Sequence, residues 1–210
     1  MTPRRISIAL LLLFSLATCA AKKPTLNPPS VVAKAEAQGQ TDRAAAIASL
    51  ERYLAGAPDP SVAPWAMVYA GEQHRLNGDL DKARAWFERA ADRYPTHALK
   101  PSAVLGMALV DASRAMSGNT AATLGLVPES GVIPTMNADR YRILARIAAE
   151  DGEPQNKIDD HIKKALDYAE ADPAVEKRVK SALQDLSDRP DEAEAQGQTD
   201  RAAAIASLER

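Results

Sequence analysis

Apolar and polar residues recur with the period of an α-helix along most of the chain after residue 30. The pattern is clearest over residues 61–94, where two stripes suited to a buried face return at steps of three and four: Met67, Ala70, Gly71 and His74, then Leu80, Ala83, Phe87 and Ala90. This spacing predicts two amphipathic helices. Between them, Gly78 favours a left-handed turn and Asp79 a helix cap, and Pro95 ends the second helix. The segment therefore predicts an αα-hairpin.

One hairpin cannot bury its own apolar faces, so further helices are expected on both sides. Pro58 and Pro64 recur as Pro95 and Pro101, each 37 residues later, which indicates that another helix pair follows the hairpin. The composition has 46% hydrophobic residues and is rich in alanine, which favours an all-α fold with a buried core. The flanking helices are predicted at residues 30–38, 40–55, 96–116, 119–126, 137–150 (capped by Asn137), 158–171 and 173–186, with a loop at 127–136.

The hairpin resembles a tetratricopeptide repeat. The matching residues are Gly71, Gly78, Asp79, Leu80, Ala83, Phe87, Ala90 and Pro95, while His74 stands where the family has an aromatic residue. The resemblance implies a right-handed α-solenoid of antiparallel helix pairs over residues 31–190. A generic amphipathic hairpin is the alternative. In either case the small residues Gly71 and Ala83 are expected where helices approach closely, with Phe87 filling the groove between them.

The N-terminus has the pattern of a secretory signal. Arg4 and Arg5 precede a short apolar run over residues 6–17, which predicts a signal segment at residues 1–18. The run ends in Leu-Ala-Thr-Cys, which resembles the lipobox of bacterial lipoproteins and implies that Cys19, the only cysteine, carries the lipid. Thr18 departs from the small residues that the family prefers. Cleavage near Ala20 or Ala21, without a lipid, is the alternative.

The residues after Cys19 indicate how the helical domain is attached and to which membrane the chain is directed. Residues 19–30 hold three prolines and two lysines, and they predict a flexible, extended tether. Ala20 stands where an aspartate marks inner-membrane retention in enterobacterial lipoproteins. The resemblance therefore implies the periplasmic face of the bacterial outer membrane, or the soluble periplasm if no lipid is attached.

Charge narrows the class of partner. The chain has 26 basic and 28 acidic side chains, a net charge of -2, and loss of residues 1–18 removes two arginines. A mildly acidic body does not bind nucleic acid through bulk charge, and it does not favour an anionic membrane surface. Contact with the membrane is therefore expected through the N-terminal lipid, and no nucleic-acid partner is predicted.

Eighteen residues occur twice. Residues 35–52 and 193–210 are identical, although structural repeats normally keep only their pattern residues. Identity at every surface position favours a recent duplication or a sequence error over two equal binding sites. The segment 191–210, if genuine, forms an amphipathic helix that could cap the last helix pair.

The motifs of common enzymes are not found in the sequence. His74, His97 and His161 are scattered without the spacing of a metal site, and neither a Gly-rich phosphate loop nor a GxSxG elbow occurs. His74 is expected to be a packed core histidine. We therefore predict no catalytic residue, no metal and no cofactor.

An aromatic cluster gives the best candidate surface. Five of the nine aromatic residues fall within residues 65–94, where they either fill the core or anchor a partner. In the resembled family the first helix of each repeat lines the concave surface. The resemblance thus implies a partner-binding groove formed by Trp65, Val68, Glu72 and Arg75, with Arg142 and Arg146 on the equivalent face of the later pair.

These features favour a non-enzymatic scaffold of the bacterial cell envelope that binds a protein or peptide. A narrower alternative is a regulator of peptidoglycan synthesis, because the chain also resembles the helical N-terminal region of penicillin-binding-protein activators.

Overall fold

The computed structural model of the protein describes residues 26–114, 118–170 and 172–187. Within these ranges the chain forms helices and no strand, which confirms the all-α prediction. The predicted signal segment, Cys19 and the duplicated segment 191–210 lie outside the described residues. The helices are α1 (Ser30–Gly39), α2 (Arg43–Ala55), α3 (Ala63–Asn77), α4 (Leu80–Arg93), α5 (Lys100–Arg114), α6 (Gly118–Leu126), α7 (Pro134–Glu150), α8 (Gln155–Ala169) and α9 (Pro173–Ser187).

Several helix starts differ from the sequence prediction; α5 and α8, for example, begin at Lys100 and Gln155 rather than at residues 96 and 158. Helix α2 begins at Arg43 rather than at residue 40, because the side chain of Asp42 accepts a hydrogen bond from the Ala45 amide, at 2.9 Å, and caps the helix. Helix α7 begins at Pro134, so the prediction that Asn137 caps it is wrong. Proline suits the first turn of a helix because its missing N–H has no partner there in any case. Asn137 instead lies inside α7, fully buried.

The helices pack in two layers. Each helix contacts the next along the chain, and the odd-numbered helices also contact one another in the order α1, α3, α5, α7 and α9. Among the described residues, the even-numbered helices pack against odd-numbered ones and not against each other. The odd-numbered helices therefore form a continuous layer, and each even-numbered helix packs against the two odd-numbered helices next to it in the chain. In the part of the chain that is described, none of the helices has the length and apolar character needed to cross a membrane.

The turn between α3 and α4 follows the sequence prediction. Gly78 has a φ of 88°, in the left-handed region that favours glycine, and its amide bonds the Arg75 carbonyl at 3.1 Å. Gly152 makes the same kind of turn after α7, with a φ of 68°. The Asp79 side chain, however, does not cap α4. It accepts one hydrogen bond from Asn77, at 3.0 Å, and contacts buried His74, which also lies 3.0 Å from Glu51 of α2.

Phe87 is the centre of the hairpin core. Its ring is fully buried between α3 and α5, at positions where both helices carry glycine. A methyl group at Gly71 would lie 2.8 Å from the ring, and one at Gly106 would lie 2.4 Å from it. The predicted roles of Gly71 and Phe87 are thus confirmed, and Gly106 adds the matching contact from α5.

We expect Gly106→Ala to destabilise the fold by about 1–3 kcal/mol, because the methyl group would overlap the Phe87 ring and force α4 and α5 apart. Gly125→Ala is the matched control: it also lies in a helix, and open space surrounds the new methyl group. The control should be neutral or stabilising by up to about 1 kcal/mol. Urea unfolding of both variants checks the contact, and equal free energies of unfolding would contradict it.

Candidate functional site

A cleft opens between α1, α3 and the N-terminal ends of α7 and α9. It consists of an outer cavity of about 430 Å³ and an inner cavity of about 30 Å³, which is room for little more than one water-sized group. The two cavities adjoin, because they share five wall residues: Glu36, Gln40, Tyr69, Ile133 and Thr135. The four helices that supply most of the cleft wall belong to the odd-numbered layer, and Arg43 at the start of α2 completes the wall of the inner cavity.

A buried ion cluster underlies the inner cavity. Arg75 on α3 donates two hydrogen bonds of 2.8 Å to Glu72, one turn earlier on the same helix. Its guanidinium also bonds Asp139 on α7, which is only 1% exposed. Asp139 further accepts from Arg142 at 3.3 Å and from Arg178 on α9 at 3.4 Å. A single carboxylate therefore joins α3, α7 and α9.

The charges of this cluster support one another. Burial by itself raises the pKa of Asp139, but Arg75, Arg178 and Arg142 together outweigh it and hold that pKa below its ordinary value. Burial by itself lowers the pKa of Arg75, but Glu72 and Asp139 outweigh it and hold that pKa above its ordinary value. Glu72 and Asp139 are thus engaged as counter-ions for the arginines.

Glu36 is a half-buried carboxylate in the wall shared by the two cavities. Burial raises its pKa, the Tyr69 hydroxyl partly offsets this by donating a hydrogen bond, and the charges of Asp172 and Glu72 raise it again. The pKa of Tyr69 is itself raised, by burial first and then by Glu36. Glu36 therefore lies in an acidic environment.

Three polar atoms around the inner cavity are buried without a hydrogen-bond partner: Gln73 Oε1, Arg43 Nε and Arg178 Nε. Gln73 is 6% exposed, so its oxygen acceptor is cut off from bulk water. Arg43 uses Nη1 to bond the Leu76 carbonyl at 3.1 Å, and this leaves its Nε free. A buried donor or acceptor without a partner costs about 1–3 kcal/mol, so a group that satisfies these atoms binds favourably.

The mouth of the cleft is held by a contact between the two ends of the described chain. Gln40, just after α1, donates to Asp172 Oδ2 at 3.0 Å across 132 residues. The other oxygen of Asp172 accepts from the Ala174 amide at 2.9 Å and so caps α9. The same carboxylate thus begins α9 and closes one side of the cleft.

A second polar cluster fastens the loop before α7. The two oxygens of Glu129 accept hydrogen bonds from the hydroxyls of Tyr141 and Tyr168, whose rings stack with centroids 5.9 Å apart. Burial, followed by the bond to Glu129, raises the pKa of Tyr141 to about 12. This cluster lies outside the walls of the cleft and joins the loop to α7 and α8.

Three of the six residues predicted for the groove come together in the ion cluster: Glu72, Arg75 and Arg142. Glu72 also lines the inner cavity. Val68 is buried in the core, Trp65 is half-buried against it, and Arg146 is half-buried on α7; these three are not among the walls of the cleft.

The other residues of the site could not be predicted from the sequence. Glu36, Gln73 and Arg178 occupy positions on their helices that no motif distinguishes. One feature of the sequence does point to Asp139: it precedes Arg142 by three residues, a spacing at which side chains on a helix meet. Within the described ranges, no group of three or more His, Cys, Asp or Glu side chains is arranged to hold a metal ion.

Comparisons of the chain with protein-family models, with curated proteins and with solved structures gave no match.

We expect Asp139→Asn to destabilise the fold by about 3–5 kcal/mol, because it leaves the buried guanidinium of Arg75 with one counter-ion fewer. The pKa of Asp139 is lowered in the folded state, so its contribution is present above the ordinary value of 3.8 and is lost as the pH falls below that value. Urea unfolding between pH 7 and pH 3 should therefore show the gap between variant and wild type closing in acid.

The control for this prediction is Asp111→Asn, which removes an exposed carboxylate paired with Arg84. Its effect should stay below about 1 kcal/mol, since exposed ion pairs contribute little. Similar losses in the free energy of unfolding of the two variants would show that the buried cluster stabilises the fold no more than an exposed ion pair does.

Proposed function

We propose that the chain is a non-enzymatic scaffold that binds an extended segment of a protein or peptide partner in the cleft. The observation that carries this proposal is the set of unpaired atoms at the inner cavity. Two arginine N–H donors and one glutamine oxygen acceptor lie there together. In an extended segment the N–H and the C=O of one residue point to the same side, so the main chain can satisfy the donors and the acceptor at once.

Other ligand chemistries fit the inner cavity less well. A carboxylate would satisfy the donors of Arg43 and Arg178 but would leave Gln73 Oε1 without a donor. A cation would satisfy Gln73 and would be repelled by both arginines. Because the inner cavity admits only a water-sized group, the partner backbone runs along its opening and directs the N–H and C=O of one residue at it, while the side chains of the partner occupy the outer cavity.

The outer cavity suits the side chains of such a segment. Leu26, Ile133, Pro134 and Pro173 give it apolar walls, and its volume of about 430 Å³ falls in the range typical of ligand sites. Apolar walls with a few converging polar groups are the usual composition of a specific binding pocket.

The packing of the helices supports a solenoid of the tetratricopeptide type. Contacts between successive odd-numbered helices are what a stack of helix pairs requires, since the first helix of each pair packs on the first helix of the next. In this arrangement the cleft belongs to the concave surface, because the first helices of the pairs provide most of its walls. The body would be held in the periplasm by a lipid on Cys19, through the tether at residues 19–30.

An array of capped random pentapeptides, probed with the full chain in mild detergent, tests the peptide-binding function. We expect Gln73→Met to weaken the bound peptides about two- to tenfold, because it keeps the side-chain volume and removes the acceptor. Gln184→Met is the control, since Gln184 is exposed on α9 and does not line the cleft. Failure of the array to yield any ligand, or equal loss in both variants, would refute the proposal; a structural water in the inner cavity would then account for the unpaired atoms.

The lipid anchor has a separate test. We expect the wild-type chain, expressed in a Gram-negative host, to partition into the membrane fraction with a mass that includes acyl chains. Cys19→Ser should move it to the soluble periplasm or stall its processing, because serine cannot carry the thioether-linked lipid. Cell fractionation and intact mass measurement test whether the chain is lipidated. An unmodified, soluble wild-type protein would contradict the proposal of a lipid anchor.

A further inference from the structure

The outer cavity differs from the inner cavity in charge. Its walls include two acidic side chains, Glu36 and Asp172, and none of its described wall residues is basic. The arginines of the site, Arg43 and Arg178, border the inner cavity alone. The cleft is therefore mixed in charge at its inner end and acidic at its mouth.

The arginines around the site are bonded to groups other than Glu36. Arg75 is bound to Glu72 and Asp139, Arg178 reaches Asp139, and Arg43 bonds the Leu76 carbonyl. The charged groups that act on Glu36 are Glu72 from α3 and Asp172 from the start of α9, both acidic, and its hydrogen bond comes from the neutral Tyr69 hydroxyl. Glu36 is thus a half-buried anion whose neighbours supply no positive charge.

A second, independent feature points to a ligand at the same place. Gln73, more than nine-tenths buried, lies in the wall of the adjoining inner cavity with its Oε1 acceptor unpartnered. The cleft thus offers the partner a main-chain position at Gln73 and, next to it, an acidic cavity with apolar walls.

We propose that the partner segment places a lysine or arginine side chain in the outer cavity, with its charged group paired to Glu36 beside Asp172. This inference rests on the proposed function, because it identifies the side chain next to the bound amide. Lysine and arginine combine an aliphatic stem, which fits against Leu26, Ile133 and Pro173, with a terminal cation. Glu36 is the main counter-ion, since Asp172 already accepts from Gln40 and from the first amides of α9.

Proton binding by Glu36 should make the preference for a basic side chain depend on pH. The groups that face Glu36 are Tyr69 and Glu72 from α3 and Asp172 from α9, and after burial the two acidic groups raise its pKa. A bound cation favours the charged carboxylate, so it competes with the proton. The preference for a basic side chain should therefore weaken as the pH falls from neutral towards the raised pKa of Glu36.

The test compares capped pentapeptides that differ only in the central residue, which is lysine, arginine, glutamine, methionine or glutamate. The lysine and arginine peptides should bind the full chain at least about tenfold more tightly than the glutamine peptide, and the glutamate peptide should bind worst. Glu36→Gln should reduce this preference to about twofold or less and abolish its dependence on pH. Asp172→Asn, which keeps the acceptor that caps α9, should reduce the preference in part.

Glu150→Gln is the matched control, because Glu150 is an exposed carboxylate at the end of α7, outside the cleft. It should leave the preference and its pH profile unchanged. Equal binding of the lysine, glutamine and methionine peptides would contradict the proposal of a cationic side chain in the outer cavity, while the proposal of peptide binding would stand. No binding by any of the five peptides, with no ligand in the random array, would overturn both proposals.

Discussion

The bond between Asp139 and Arg75 is the interaction on which the rest of the site depends. Burying either charge alone is expensive, and the pair is tolerated because Glu72, Arg142 and Arg178 complete the network. The partners come from α3, α7 and α9, so the cluster determines how three helices distant in sequence meet. Apolar packing also holds α9, because Val175, Val179, Leu183 and Leu186 are buried in the core, and the ion cluster adds a directional contact to its first turns.

The cleft is a consequence of that arrangement. With α9 held against α7 by Arg178 and capped by Asp172, its first turn faces the end of α1, and the space between them becomes the outer cavity. The inner cavity presents groups complementary to a main-chain amide, and the outer cavity presents an acidic wall. Two adjoining cavities with different chemistry can orient an extended segment, because only one direction places the amide and the side chain correctly.

The parts of the fold that depend on local spacing could be predicted from the sequence, and the parts that depend on distant partners could not. Gly78 and Phe87 were assigned correctly because a turn and a helical stripe are visible within a few residues. Glu72, Arg75 and Arg142 were chosen as a partner-binding face, yet they meet at Asp139, which lies 64 residues beyond Arg75. No period in the sequence links those positions, and none links Glu36 or Gln73 to the cleft.

The central claim is that the Asp139 cluster holds α9 in place and so maintains the cleft. Amide hydrogen exchange of Asp139→Asn, read helix by helix, tests it most directly, since local opening is reported by the amides of the element that opens. The account predicts that protection falls most in α9 and at the end of α1, while α4 and α5 around Phe87 keep most of theirs. Uniform loss across all helices, or unchanged protection in α9, would contradict it.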